Sequence, residues 1–207
     1  SWFHSPEQFK LAAKDKINKI VPTANMIGRK EELEIIDNAY KAARTGKKQG
    51  VYISGYSGVG KTRIVQEFYR NKLAHKVPMV ASKFDTLQRT TPYSALLGAM
   101  KELVRKLLRE EDERMVYWKK RLLFYLKENA AIITEVIPET EAIFGEQPAV
   151  NKLPPEEAQK RFQQTFISFI AAFTTEEETL ILFLDYLQWA DIASVRLIEL
   201  ILLDDSV

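Results

Sequence analysis

The sequence contains no cysteine, only two histidines, and almost no net charge: 30 Lys+Arg against 28 Asp+Glu gives +2. Without Cys there can be neither a disulfide framework nor a thiolate metal site. His4 and His75 leave little for a His-based zinc site and are expected to face solvent. A balance this close to zero supplies no electrostatic footprint for nucleic acid, and Lys47-Lys48 adds too little to argue otherwise. No apolar run approaches the roughly 18 residues that a membrane-spanning helix needs. The opening Ser1-Trp2-Phe3-His4 has no signal-peptide pattern and no initiator Met. What is present is 46% apolar and 11% aromatic residues in 207, enough for a sizeable core and too apolar for a disordered chain. The expectation is a cytoplasmic protein of about one domain, with no membrane contact.

Apolar spacing organises the chain. Phe9, Ala12, Ala13, Ile17 and Ile20 predict a helix over residues 6–20, and Leu33, Ile36, Tyr40 and Ala43 a second from about Arg29 to Arg44. A polar, glycine-bearing stop at 45–50 precedes a short strand-like run, Val51-Tyr52-Ile53-Ser54. Lys61 to Leu73 reads as a helix and Val77 to Phe84 as a strand. Thr91 and Pro92 are suited to start the next helix, with Thr91 as its N-cap. A helical pattern then runs for some eighty residues, with Trp118, Leu122 and Leu126 on one stripe. From Pro155 onward, Phe162, Phe166, Phe169 and Phe173 form another, read as core packing. Glu176 to Glu178 reads as a solvated turn before Leu180-Ile181-Leu182-Phe183-Leu184-Asp185, an unbroken apolar run of the kind found in buried parallel strands. A last helix is expected over about Ile192 to Leu203. This order predicts an α/β layered domain with a helical insertion over 93–175 between its second and third strands.

The chemistry concentrates in Gly55-Tyr56-Ser57-Gly58-Val59-Gly60-Lys61-Thr62, which fits the phosphate-binding P-loop pattern G-x-x-x-x-G-K-[ST]. Glycines let the backbone fold back with its N–H groups turned inward, and the following helix adds the positive end of its dipole. In that pattern Lys61 serves the β- and γ-phosphates and the Thr62 hydroxyl serves Mg²⁺. A chance match in a chain of this length is on the order of 1%, and the strand–loop–helix setting lowers it further. A second acid at a strand end should complete the metal shell, and Asp185 closes the only other strongly apolar strand. Asp191, just before Ile192, is better suited to cap the last helix than to act as a catalytic base. Arg63 is expected on the exposed side of its helix.

Three segments in order, Met26-Ile27-Gly28-Arg29-Lys30-Glu31-Glu32-Leu33, the P-loop, and Leu184-Asp185-Tyr186-Leu187-Gln188-Trp189-Ala190-Asp191, resemble the AAA-type ATPase module of large bacterial signalling proteins. Those proteins include multidomain kinases and LuxR-type regulators, of the STAND class of signalling NTPases close to origin-recognition AAA ATPases. The resemblance covers about residues 25–205. It implies an α/β P-loop NTPase sheet of order 5-1-4-3-2 flanked by helices, with ATP and Mg²⁺ as cofactors. It also implies an adenine near the backbone of Ile27 to Arg29, as against Gly28 ending a loop and Arg29 opening a surface helix. Residues 1–24 would be a helix and linker, and 25–207 the ATP-binding domain.

Such modules usually carry two adjacent acids after the Walker B strand, the second polarising the attacking water. Here that position is Tyr186, which is no base near neutral pH without a large pKa shift. The expected function is a nucleotide-dependent switch in a multidomain signalling or regulatory protein. Its expected partners are ATP or ADP, C-terminal domains of the same protein, and a further copy of the chain or an effector protein. The alternatives are a hydrolysis-deficient ATP-binding scaffold and a DNA-loading ATPase, the latter disfavoured by the near-neutral charge. The chain stops after the helix that follows Asp185, so strands 4 and 5 are expected to lie outside it. The 50–54 strand should then lack at least one ladder partner.

Overall fold

The computed structural model describes residues 28–73, 77–88, 91–174 and 179–203. The expected helix at 6–20, Ile27, both histidines and Glu176 to Glu178 lie outside those residues. Helix α1 (Lys30–Ala43) and helix α2 (Lys61–Phe68), which runs on into a π turn at Tyr69–Leu73, come before the first strand. Strand β1 is Met79–Lys83. Helices α3 (Ser94–Leu107), α4 (Asp112–Leu126), α5 (Ala130–Val136), the single turn α6 (Glu141–Phe144) and α7 (Pro155–Ala171) follow. Strand β2 (Ile181–Asp185) and helix α8 (Ile192–Leu203) complete the order. The architecture is therefore mixed α/β, mostly helical, with a small parallel sheet. No helix among the described residues is long and apolar enough to cross a membrane.

The two strands pair in parallel, Met79 opposite Ile181 through Lys83 opposite Asp185. A parallel pair needs a crossover, and α3 to α7 supply it. Helix α3 lies on β1 so closely that a Cβ at Gly98 would stand 3.3 Å from the Ser82 hydroxyl. The sheet thus reaches the main core through Val80, which packs with Leu96, Met100, Leu103 and Val104 of α3. Leu122 and Leu126 of α4, Ile133 of α5 and Phe166 and Phe169 of α7 fill the rest, all essentially inaccessible to water. The phenylalanine stripe does pack as core: Phe169 meets Phe173 edge to face, and Phe173 lies 5.3 Å from Trp118. Where α7 ends, Arg121 of α4 donates to the carbonyls of Ala172 and Thr174, both at 2.6 Å. A cation thereby satisfies carbonyls that the helix end leaves open.

Three expectations are corrected. Val51 to Ser54 forms no strand, because no other described segment offers it a ladder; Tyr52 is 77% exposed. The β2 run is half-buried throughout, since β1 covers only one of its edges among the described residues. Thr91 does not cap α3: the helix starts at Ser94, after a left-handed Tyr93 (φ 63°) whose ring packs 5.0 Å from that of Phe162. Tertiary packing of an aromatic, invisible in local spacing, moves that helix start.

Candidate functional site

The segment Gly55 to Thr62 turns sharply into α2. Gly58 (φ 81°) and Gly60 (φ 96°) occupy the left-handed region that side chains resist, so the motif's second and third glycines are conformationally required. Gly60 is the N-cap of α2, and no side chain caps the helix. The dipole makes an anion the favoured partner at this helix end. Lys61 folds back over the loop, its Nζ donating to the carbonyls of Gly55 (2.7 Å) and Tyr56 (3.0 Å). Tyr56 is 92% exposed, and Ser57 is exposed beside it. Arg63 lies on the exposed side of α2.

The longest-range polar contact at this loop joins it to the sheet. The Thr62 hydroxyl donates to Asp185 Oδ2 at 2.8 Å, and Tyr186 N–H donates to Asp185 Oδ1 at 3.0 Å. A hydroxyl and a carboxylate oxygen this close fit neighbouring corners of an octahedral Mg²⁺ shell, which with ~2.1 Å bonds are about 3 Å apart. No group of three or more His, Asp or Glu side chains among the described residues could hold a metal alone. The chain's two oxygens would thus leave the remaining corners to phosphate and water.

Tyr186 follows in a left-handed conformation (φ 58°), and the Lys83 ammonium sits 5.7 Å from its ring centroid. Sequence reading missed Lys83, because only the β1–β2 register places it opposite Asp185. Asp191 caps α8: its carboxylate accepts from Ser194 N–H (2.8 Å) and from the Ser194 hydroxyl (2.6 Å). That occupies both of its oxygens.

Arg29 stands beside the loop rather than apart from it. Its guanidinium donates to the Val59 carbonyl (3.3 Å) and pairs with Glu32 (2.6 Å). The hydrogen bond from Arg29 holds the Glu32 carboxyl below its ordinary range. The i, i+3 spacing of the two residues was a legible signal for this pair. Between α1 and the loop lies a cavity of about 250 Å³, walled by Ile36, Tyr52, Val59 and Ile64 and edged by Arg29 and Lys61.

A strand-end aspartate bonded to a threonine at the start of a glycine-loop helix is an arrangement of nucleotide-binding α/β proteins. The family comparison agrees: the AAA ATPase domain matches residues 25–206, and the chain belongs to that family. It is 38% identical over 194 residues to the hybrid signal transduction histidine kinase G of Dictyostelium discoideum. That stretch is 94% of this chain but 6% of the relative, so the chain covers only a small part of that relative's length. No solved structure matches.

Proposed function

We propose that this chain is an ATP-binding P-loop module that serves as a nucleotide-dependent switch within a multidomain signal-transduction protein. The observation that carries the reading is the Thr62–Asp185 bond, which joins the loop's hydroxyl to the strand-end carboxylate across 123 residues. In this reading the backbone N–H groups from Gly55 to Gly60 cradle the phosphates, with Tyr56, Ser57 and Val59 contributing main chain. Lys61 exchanges its two loop carbonyls for β- and γ-phosphate oxygens. Thr62 and Asp185 hold Mg²⁺, which when bound neutralises the triphosphate. The cavity beside Arg29 and Val59 takes the adenine, its apolar wall suited to a flat base at the mouth of a polar cradle. Ile27, expected near the adenine from the family resemblance, lies outside the described residues.

Tyr186 supports a switch over a fast hydrolase. A phenol next to Asp185 offers a hydrogen bond but no base at neutral pH. ATP or ADP occupancy would then bias the arrangement of neighbouring domains, which are the expected partners together with an effector protein or a second copy of the chain. The family places are proposed in the same way: β1 and β2 as the second and third strands of the AAA sheet, and 93–175 as the insertion between them. With its Walker A and B motifs, the chain would work in the cytoplasm, where ATP is supplied.

Titration with a fluorescent ATP analogue, with Mg²⁺ and with chelator, tests this. Wild type should bind with Mg²⁺-dependent affinity, and Lys61→Ala should lose roughly tenfold or more, the worth of one or two charge-assisted hydrogen bonds. Equal affinity in the two proteins removes the proposal. Phosphate release by Tyr186→Asp, compared with wild type, separates a slow ATPase from an inert scaffold. A gain in the variant identifies Tyr186 as the brake on hydrolysis.

A further inference from the structure

A second cavity, of about 240 Å³, opens where the end of α4 meets the middle of α7. None of its lining residues belongs to the glycine loop or to α1. From α7 it takes Arg161, Gln164, Thr165 and Ser168, whose i, i+3, i+4, i+7 spacing puts them on one face beside the phenylalanine stripe. From the turn after α4 it takes Lys127 and Asn129.

Two irregularities of the fold converge here. Arg161 Nε is buried with no acceptor, although the same guanidinium donates through Nη2 to the Asn151 carbonyl at 2.8 Å. A shielded N–H donor without an acceptor is costly, and such groups call for a ligand, ion or water to complete them. Lys127 has φ 50° and ψ −128°, a backbone conformation that glycine alone adopts freely. A lysine held there is strained, and a glycine would relieve the strain while removing the ammonium. Around these two, the side chains of Asn129, Gln164 and Ser168 have no hydrogen-bond partner among the described residues, while the Thr165 hydroxyl donates to Arg161 O at 2.7 Å.

The geometry points to a binding site for a small oxyanion, the carboxylate or phosphate group of a metabolite-sized molecule. Two cations, Lys127 and Arg161, outweigh the single lining acid, Glu128, so the cavity favours negative charge. Arg161 brings a guanidinium whose Nε–H has no acceptor, and the planar fork of a guanidinium matches a pair of ligand oxygens. Lys127 supplies a second charge, and Asn129, Gln164 and Ser168 supply neutral donors. The lining of this cavity shares no residue with the cavity of the proposed ATP site, so the two sites stand or fall separately. A ligand held there touches α4 and α7 together, the same two helices that Arg121 ties at the chain's approach to β2.

The Arg161 Nε–H signal of the ¹⁵N-labelled chain reports on the site directly, and Arg161→Lys identifies it by its loss. Titration with inorganic phosphate and with sodium acetate, against sodium chloride at matched ionic strength, should move that signal saturably. The midpoint should lie in about the millimolar range, as for ligands of so few atoms. Tighter binding of phosphate assigns a phosphate ester, and tighter binding of acetate a carboxylate. Lys127→Gly should raise the melting temperature yet weaken oxyanion binding at least about fivefold, the reciprocal signature of strain retained for a ligand. Gln164→Ala, on the exposed side, should weaken binding about two- to threefold with the fold intact. A shift that only follows ionic strength, no shift with either anion, or unchanged affinity in Lys127→Gly overturns the site.

Discussion

The helical body from α3 to α7 and the segment from α1 through the glycine loop are built on opposite terms. In the body, α3 buries seven of its fourteen residues and α7 six of seventeen. In the other segment, α1 buries none, and Val51, Tyr52, Tyr56 and Val59 all stand exposed. Apolar burial at about 25 cal/mol per Å² accumulates in the first region and hardly at all in the second. Stability therefore resides in the helices between the strands, while the proposed nucleotide site lies at their lightly packed neighbour. The two meet at β2, whose backbone belongs to the sheet and whose last side chain, Asp185, reaches to Thr62.

The contrast is sharpest at Phe166, which is wholly buried. Phe166→Ala should cost about 3–5 kcal/mol in a urea titration, whereas Ile35→Ala, 60% exposed on α1, should stay within ~0.5 kcal/mol. Equal costs would abolish the division.

Asp185→Asn probes the joint. It keeps the side chain's size and its capacity to accept from Thr62 but removes the charge. Stability should change by about 1 kcal/mol or less, while Mg²⁺ should cease to strengthen binding of the fluorescent ATP analogue. Retained Mg²⁺ dependence would separate Asp185 from the metal.

A smaller effect is expected at α8. Asp191→Ala removes both bonds to Ser194 and should destabilise by ~1 kcal/mol, the usual worth of an N-cap. Nucleotide affinity should be unchanged, and a large loss of affinity would return Asp191 to the site.

The smallest effect concerns Glu32. Its pKa is depressed in the folded chain by Arg29, so the pair's contribution is present above the ordinary carboxylate range and is lost as pH falls through the lowered folded value. A ¹³C titration of the carboxyl groups should place the Glu32 midpoint below the ordinary glutamate value. A midpoint at the ordinary value would dissolve the Arg29–Glu32 pair beside the loop.

Much of this was legible in residues whose meaning is local. Helix α8 occupies the expected Ile192–Leu203, and α1 lies within the span read from Leu33, Ile36, Tyr40 and Ala43. Periodicity serves there because one stripe decides which face is covered. The glycine loop was equally legible, since positive φ at Gly58 and Gly60 is a property of the backbone itself. Val51 to Ser54 misled for a corresponding reason: an apolar run of that length has strand character only where another strand offers a ladder. The α3 start misled because Tyr93 takes its conformation against Phe162, far along the chain.

By itself, the sequence determined the kind of chain this is: a near-neutral, cysteine-free α/β protein with a phosphate-loop pattern and a strand-ending aspartate. These follow from composition, periodicity and short motifs, which act within a turn or two. Only the tertiary structure decided which distant groups meet. It brought Asp185 to Thr62, set Lys83 against Tyr186, and left Arg161 and Lys127 at one cavity. Those juxtapositions depend on strand register and helix packing, which are set by burial summed over the whole body and by no local signal.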